Sequence, residues 1–448
     1  MSMEKLMAMN GTSCSCGKEH RFHADVVIGS GVIQKIPDYL KKYNAKKVYL
    51  LSDLNTWQAA GQQVHTIITS TATVCVCHCF QDKHLEPDEH SVGSAVMHFS
   101  WDCDLVIAVG SGVINDIGKI VAAMSHLPYI IVGTAPSMDG YASATSSMTR
   151  DGLKISLPTK GADVIIGDTD ILCQAPLKLM KAGLGDMIAK YVSICEWRLS
   201  QLITSEYYCE EIAQLVRSAL KQCVDRANGL LCRDPAAVQA VFEGLVISGV
   251  AMNYAGLSRP ASGLEHYISH SLDMRFVEFG TPMELHGIQC AIGTRIAIGL
   301  YEKLKAVTPD REKALRYAAG FDYDTWAQQL RSFLGRCAES MIELEKTEKK
   351  YDLQQHAQRL ERIIGHWHQI LQIIEEELPS YDTITRLLDT IEAPKTLSEI
   401  GNSDDLVPMI FRCTKDIRDK YVLSRLCWDL GILEEITSQN PRLSRGLD

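Results

Sequence analysis

The stretch DLVIAVGSGVINDIGK, residues 104–119, constrains this chain more than any other. Its unbroken apolar run, Leu105 to Val109, reads as a strand buried on both faces, the pattern of a parallel sheet. The run stops at Gly110-Ser111-Gly112, and apolar residues at helical spacing follow. Glycine in such a turn lets the backbone approach a ligand with no Cβ in the way. The N–H groups that open the next helix then face that ligand and suit a phosphate. Residues 104–122 therefore have the form of a diphosphate cradle, with a plain strand-to-helix turn as the competing reading.

The cradle departs from the usual dinucleotide fingerprint, which wants a third glycine three residues after the second and an acid about 20 residues further on. Asn115 stands at the third position, and the region 129–132 is another apolar run without an acid. An acid does occur earlier: the strand-like run 47–52 ends in Asp53, placed to accept hydrogen bonds from a ribose diol. That order points to a nucleotide fold of a different lineage.

A chain of 448 residues is too long for a single core and fits two domains. Segments that alternate between strand and helix character fill residues 24–170 and imply a parallel sheet with helices on both faces. The runs 152–158 and 162–168 read as strands, paired as a hairpin that closes the sheet. Between them and the strand at 129–132 lies a long loop, 133–143, rich in small residues and broken by Pro and Gly; open α/β sheets bind ligands at such places. After Pro176 helical periodicity takes over, at 184–202, 206–228, 235–253 and 283–304, with one charged helix expected over 343–372. The expected organisation is an α/β Rossmann-like nucleotide-binding domain over 1–175 and an all-helical domain over 176–448, with no internal repeat.

The net charge of −10 argues against nucleic acid, whose phosphates call for a basic face. No apolar run reaches the roughly 18 residues of a spanning helix, and the first ten residues do not read as an export signal, so neither a membrane nor secretion is expected. The 15 cysteines show no paired framework and read as reduced thiols of a cytoplasmic protein. Cys14, Cys16 and His20, and separately Cys75, Cys77 and Cys79, offer soft ligands without the usual spacing for zinc. No metal is expected at either place, and alternation at 75, 77 and 79 reads as the buried face of a strand.

In the helical half, His266 and His270 are four residues apart and share a helix face, and His286 opens another helix. Asp186, at the apparent start of a helix, could reach them. Two neutral imidazoles and a carboxylate would hold a divalent ion and leave positions open for substrate. Three structural alternatives stand beside that reading: Asp186 as a helix N-cap, His266 as a core residue and His286 as a surface turn residue.

Taken in order, Gly110-Ser111-Gly112-Val113-Ile114-Asn115-Asp116, Thr134-Ala135-Pro136-Ser137-Met138-Asp139-Gly140, Gly185-Asp186, Gly263-Leu264-Glu265-His266 with His270, and Leu285-His286-Gly287 resemble the glycerol-1-phosphate dehydrogenases. The likeness is to their bacterial branch associated with arabinose operons, within the dehydroquinate synthase-like and iron-containing alcohol dehydrogenase superfamily. It spans residues 20–305; residues 310–448 add nothing diagnostic. One departure is Ser111, where many relatives have a third glycine.

The resemblance implies roles. Gly112 to Asp116 would hold the diphosphate of NAD(H), with Thr134 to Ser137 and Ser143 beside the nicotinamide. Asp53 would take the adenosine ribose and favour NAD over NADP, because a carboxylate repels a 2′-phosphate. Asp186, His266 and His286 would bind one divalent metal ion, zinc or nickel. Asp139, Asp186 and His270 would contact the substrate. The reaction implied is the interconversion of dihydroxyacetone phosphate and sn-glycerol 1-phosphate, in which a divalent ion stabilises the developing alkoxide. His270 would pass the proton, or else only orient His266. Lys154, Lys160 and Arg295 are the cations on offer for the substrate phosphate. A homodimer is expected from the family. Three alternatives remain open: a related polyol or glycerol dehydrogenase, a dehydroquinate synthase-like cyclase, and a non-catalytic NAD-binding protein.

Overall fold

The computed structural model describes residues 2–82, 84–150 and 153–438. They pack into two compact units, Met1–Met187 with Gln214–Leu257, and Ile188–Ala213 with Ser258–Asp448. The helical stretches at 177–187 and 214–257 thus belong with the α/β part, whereas sequence periodicity put the change of character at 175/176.

In the first unit the strands are β1 (Asp25–Gly29), β2 (Lys47–Asp53), β3 (Val74–Phe80), β4 (Leu105–Gly110), β5 (Tyr129–Gly133), β6 (Thr145–Arg150), β7 (Leu153–Pro158) and β8 (Val164–Asp168). Six of them form one parallel sheet in the order β1-β8-β5-β4-β2-β3. Leu50, Leu105, Ile107, Val109, Ile130, Val132, Val164 and Ile166 pack on one face with Ile33, Ile36, Leu40, Val64 and Ile68. Tyr49, Leu51, Val106, Ala108, Tyr129 and Ile131 are equally buried on the other face. Burial on both faces is why these strands are unbroken apolar runs.

The pairing of β7 differs from expectation. Its antiparallel partner is β6, whose polar sequence TSSMTR gives little strand signal, and β8 enters the main sheet between β1 and β5. The thiol face of β3 is also not buried. β3 is an edge strand, His78 and Phe80 point into the protein, and Cys75, Cys77 and Cys79 lie half-buried or exposed. The helix Pro235–Ala255 is, by length and composition, apolar enough to cross a membrane, which the sequence reading did not foresee; 72% of its apolar window is buried inside the protein.

The second unit is helical, with no strand among the described residues. The region read as one charged helix over 343–372 is three, Ala338–Glu348, Leu353–Gly365 and Trp367–Glu377. Lys349 in the left-handed region ends the first, and the Asp352 carboxylate caps the second by accepting from Gln355 N at 2.8 Å. The run 184–202 is likewise broken, into Leu177–Ile188 and Lys190–Thr204.

Candidate functional site

Parallel pairing puts the ends of β2, β4 and β5 side by side at the carboxyl edge of the sheet, the edge where open α/β folds bind ligands. Asp53 closes β2 and Gly110 closes β4. A cavity of about 270 Å³ joins Asp53 to Ser111, Val113 and Ile114. The Asp53 carboxylate also accepts from Thr56 N at 2.8 Å and so caps a short helix turn; its Oδ2 takes no part in that cap. Ser111 precedes the helix Gly112–Ser125, and its side chain makes no cap there, so it does not occupy the amides that open this helix. Gly110 has a packing reason as well: a Cβ there would stand 2.5 Å from Ile114 Cβ.

The Asn115 side chain turns to the loop after β5, and Asp116 Oδ2 accepts from Ser147 N on β6 at 3.3 Å. Asn115 Nδ2 donates to Gly140 O at 3.0 Å, and Tyr129 Oη donates to Asn115 Oδ1 at 3.0 Å. Lys119, fully buried, donates to Asp116 Oδ1 at 3.1 Å, Gly140 O at 2.8 Å and Thr145 O at 2.9 Å. In that loop Thr134 N donates to Gly110 O at 3.1 Å, and the Ser143 hydroxyl pairs with Thr145 Oγ1 at 2.8 Å. Thr134, Ser137 and Ser143 are all buried. Gly183 is the only residue type that fits against this loop, since a Cβ would lie 1.8 Å from Pro136 O. One turn further on, fully buried Asp186 accepts from Asp139 N at 3.0 Å through Oδ2. Asp139 Oδ2 in turn accepts from Ser248 Oγ at 2.8 Å. Asp186 occupies the last turn of Leu177–Ile188, so it is no N-cap, and Gly183 serves close packing within that helix rather than its start.

In the second unit His266 and His270 lie on the helix Leu264–Phe279, and His286 opens His286–Leu304. The His266 and His286 rings meet edge to face, centroids 5.0 Å apart. Both tautomers follow from hydrogen bonds. His266 Nδ1 faces the Glu265 carboxylate at 2.9 Å, so Nδ1 carries the proton and Nε2 the lone pair. For His286, Gln289 Nε2 donates to Glu284 O, so Gln289 Oε1 accepts from the Ser269 hydroxyl, and the Ser269 oxygen accepts from His286 Nδ1–H at 3.0 Å. His286 Nε2 therefore also carries a lone pair. A carboxylate or a fixed hydroxyl behind each imidazole is the arrangement that orients metal-binding histidines. His270, one turn beyond His266, is half-buried and tilted 26° to the His286 ring at 6.1 Å.

Sequence reasoning missed Cys290. Its Sγ lies 3.5 Å from His286 Nε2, and the donor atoms of His266, His286 and Cys290 all fall within 4.8 Å of one another. The signal was present as His-x-x-x-Cys, which puts both residues on one helix face. Sequence reasoning also missed the acid behind His266. Glu265 Oε1 accepts from Gly263 N at 2.7 Å, while its buried Oε2 has no hydrogen-bond partner among the described residues. Glu196 Oε2 accepts from Leu264 N at 2.8 Å, and its Oε1 accepts from Leu423 N at 2.8 Å and from the Tyr301 hydroxyl at 3.2 Å. Burial, and then the neighbouring Glu265 carboxylate, push Glu196 up to about 8.

The phosphate cations named from sequence are engaged or undescribed. Lys160 pairs with Asp163 at 2.7 Å on the surface. Arg295 donates to Thr385 Oγ1 and Lys395 O and lies over the Tyr381 ring. The Lys154 side chain lies outside the described residues.

Residues 27–176 match the sequence profile of the family described as iron-containing alcohol dehydrogenase. A protein of Halalkalibacterium halodurans named glycerol-1-phosphate dehydrogenase, NAD(P)+, is 32% identical over 297 residues, 65% of this chain and 74% of that protein. A Bacillus licheniformis protein of the same name is 27% identical over 434 residues, 96% of this chain and 95% of its own. The crystal structure of glycerol dehydrogenase from Schizosaccharomyces pombe superposes with a TM-score of 0.59 at 16% identity, covering 94% of this chain and 91% of that one; the two share a fold.

Proposed function

Because the chain belongs to the glycerol-1-phosphate dehydrogenase family, within the iron-containing alcohol dehydrogenases, we propose that it interconverts dihydroxyacetone phosphate and sn-glycerol 1-phosphate with NAD(H) and one divalent metal ion. The observation that carries the reading is the His266–His286 pair, whose Nε2 lone pairs are both presented by fixed tautomers. Asp186, His266 and His286 are the proposed ligands. When bound, the ion supplies a positive charge that stabilises the alkoxide character a carbonyl gains on hydride transfer. Zinc and nickel both suit imidazole donors, and the Cys290 thiol beside His286 Nε2 tilts the set toward zinc.

The remaining roles fall to the protein's own groups. The amides of Gly112, Val113 and Ile114 receive the NAD diphosphate, with Asn115 and Asp116 holding the loop behind them. Asp53 Oδ2 accepts from the adenosine ribose and disfavours a 2′-phosphate, so NAD is the preferred cofactor. Thr134, Ser137 and Ser143 form the nicotinamide side, on a loop held by Lys119. Asp139 and His270 contact the substrate, and the His270 imidazole moves the proton to the carbonyl oxygen. A cytoplasmic homodimer completes the proposal; none of the 15 cysteines forms a disulfide, as a reducing compartment would have it.

The test is NADH oxidation with dihydroxyacetone phosphate before and after chelation, with the stereochemistry of the product determined. Turnover that survives complete metal removal rejects the metal role. The engagement of Lys160 and Arg295 favours a second reading, an unphosphorylated polyol as substrate. A substrate panel in which glycerol or a pentitol outpaces the phosphorylated ketone would select it.

A further inference from the structure

The first unit holds another soft-donor cluster, far along the sequence from the residues used above. Residues 11–20 form a tight hairpin. Cys14 N donates to Lys18 O at 2.9 Å, Gly17 N to Cys14 O at 3.0 Å and Gly11 N to His20 O at 2.8 Å, and Ser13 pairs with Glu19. Gly17 takes φ +82°, which the reversal after Cys16 requires. The turn presents two thiols, Cys14 and Cys16, from one small loop.

His20 is the anomaly of this hairpin. Gly11, Thr12, Ser13, Ser15, Gly17, Lys18 and Glu19 are exposed and offer no apolar core, yet His20 is 1% exposed. Its Nδ1 faces Tyr254 O at 2.9 Å, so Nδ1 carries the proton and Nε2 the lone pair. The ring lies 5.4 Å from the Tyr254 ring, and the Tyr254 hydroxyl donates to Leu6 O at 3.0 Å. His20 Nε2 is 3.5 Å from Cys16 Sγ, and the donor atoms of Cys14, Cys16 and His20 all lie within 4.8 Å of one another. Sulfur and nitrogen ligands placed about 2.3 Å and 2.0–2.1 Å from one zinc ion, at tetrahedral angles, stand roughly 3.5 Å apart. A backbone carbonyl behind the imidazole is the support that metal-binding histidines use. The Cys-x-Cys spacing looked wrong for zinc in the sequence because the third donor comes from the returning arm of the hairpin.

We propose that Cys14, Cys16 and His20 hold a structural zinc ion that ties the N-terminal hairpin, through His20 and Tyr254, to the helix Pro235–Ala255. Both thiols lose their protons on binding, and a further donor completes the tetrahedron. This ion is separate from the one proposed at His266 and His286 and takes no part in turnover.

Zinc per chain is measured by mass spectrometry on the full-length protein after desalting. Relative to wild type, a Cys14→Ser, Cys16→Ser protein is expected to lose one equivalent of zinc and to become protease-sensitive near residue 20, while keeping its NADH-oxidising turnover. A Cys75→Ser, Cys77→Ser protein is expected to keep that zinc. Unchanged zinc in the first variant, loss of the same equivalent in the second, or a Cys14–Cys16 disulfide in the purified wild type each overturns the assignment. Should the first variant fail to fold, X-ray absorption on His266→Ala protein decides: zinc with two or three sulfur neighbours supports the site, and no zinc, or zinc with fewer sulfurs, refutes it.

Discussion

Replacing Glu196 by glutamine probes the buried acid pair behind His266. Folded Glu196 holds its proton up to about pH 8, against an ordinary value of 4.5, because burial and the Glu265 carboxylate both oppose its charge. The unfolded chain releases that proton at the ordinary value. The folded state therefore binds the extra proton, and the stability this group contributes is fully present below pH 4.5 and falls as pH rises through about 8. The slope is about 1.4 kcal/mol per pH unit. Glutamine does not titrate, but its amide nitrogen cannot accept from Leu264 N, which costs about 1–3 kcal/mol at every pH. Glu196→Gln is thus expected to be less stable than wild type near pH 5, with the gap closing as pH rises and vanishing or reversing by about pH 8. Urea-unfolding midpoints of the two metal-loaded proteins across that range measure the difference. A difference that stays constant with pH would show that Glu196 ionises at its ordinary value and that neither burial nor Glu265 holds its proton.

Other substitutions separate the remaining roles. His266→Ala and His286→Ala are expected to lose bound metal and turnover together, whereas His270→Ala keeps its metal and loses on the order of 100-fold in kcat; metal loss in all three would make His270 a ligand. Asp53→Ser is expected to shift the NADP-to-NAD ratio of kcat/KM by about 10–100-fold toward NADP, the worth of one charged hydrogen bond. An unchanged ratio would move the ribose contact elsewhere. Lys119→Met leaves Asp116, Gly140 O and Thr145 O without their common donor, and a loss of about 3 kcal/mol in unfolding free energy is expected, with weaker NADH binding. Full thermal stability in that variant would make the buried lysine dispensable.

Much of the first unit could be read from the chain because parallel strands buried on both faces announce themselves as continuous apolar runs. Leu105 to Val109 and Tyr129 to Val132 are such runs, and both are central strands. What failed depends on neighbours distant in sequence. Nothing within 162–168 says that β8 sits between β1 and β5, so adjacency in the chain made it look like the hairpin partner of β7. The alternating thiols of β3 read as an inner face because alternation does not say which face is inward, nor that the strand is an edge. At the candidate metal site the histidines stood out by residue type and spacing. Cys290 was legible only in its four-residue spacing from His286, and Glu196 not at all, since a lone acid carries no signal until its partners are known.

The same dependence on partners reassigns the phosphate-loop motif. Asn115 and Lys119 lie on the helix that opens at the cavity, yet their side chains donate to Gly140 O and Thr145 O, with Asp116 pairing Lys119. Asp139 is held in turn by Asp186 and Ser248. The loop from 134 to 144 is therefore fixed by buried polar contacts along its length, and each bond is worth more where water is excluded. On the proposed cofactor site, a substitution at Asn115 or Lys119 is expected to change loop position and cofactor affinity together, whereas one at Asp53, whose carboxylate caps its own helix turn, is expected to alter cofactor choice with the loop intact. A cofactor-binding defect spread evenly over NAD and NADP marks a loop brace, and a defect confined to one of them marks a contact with the ribose.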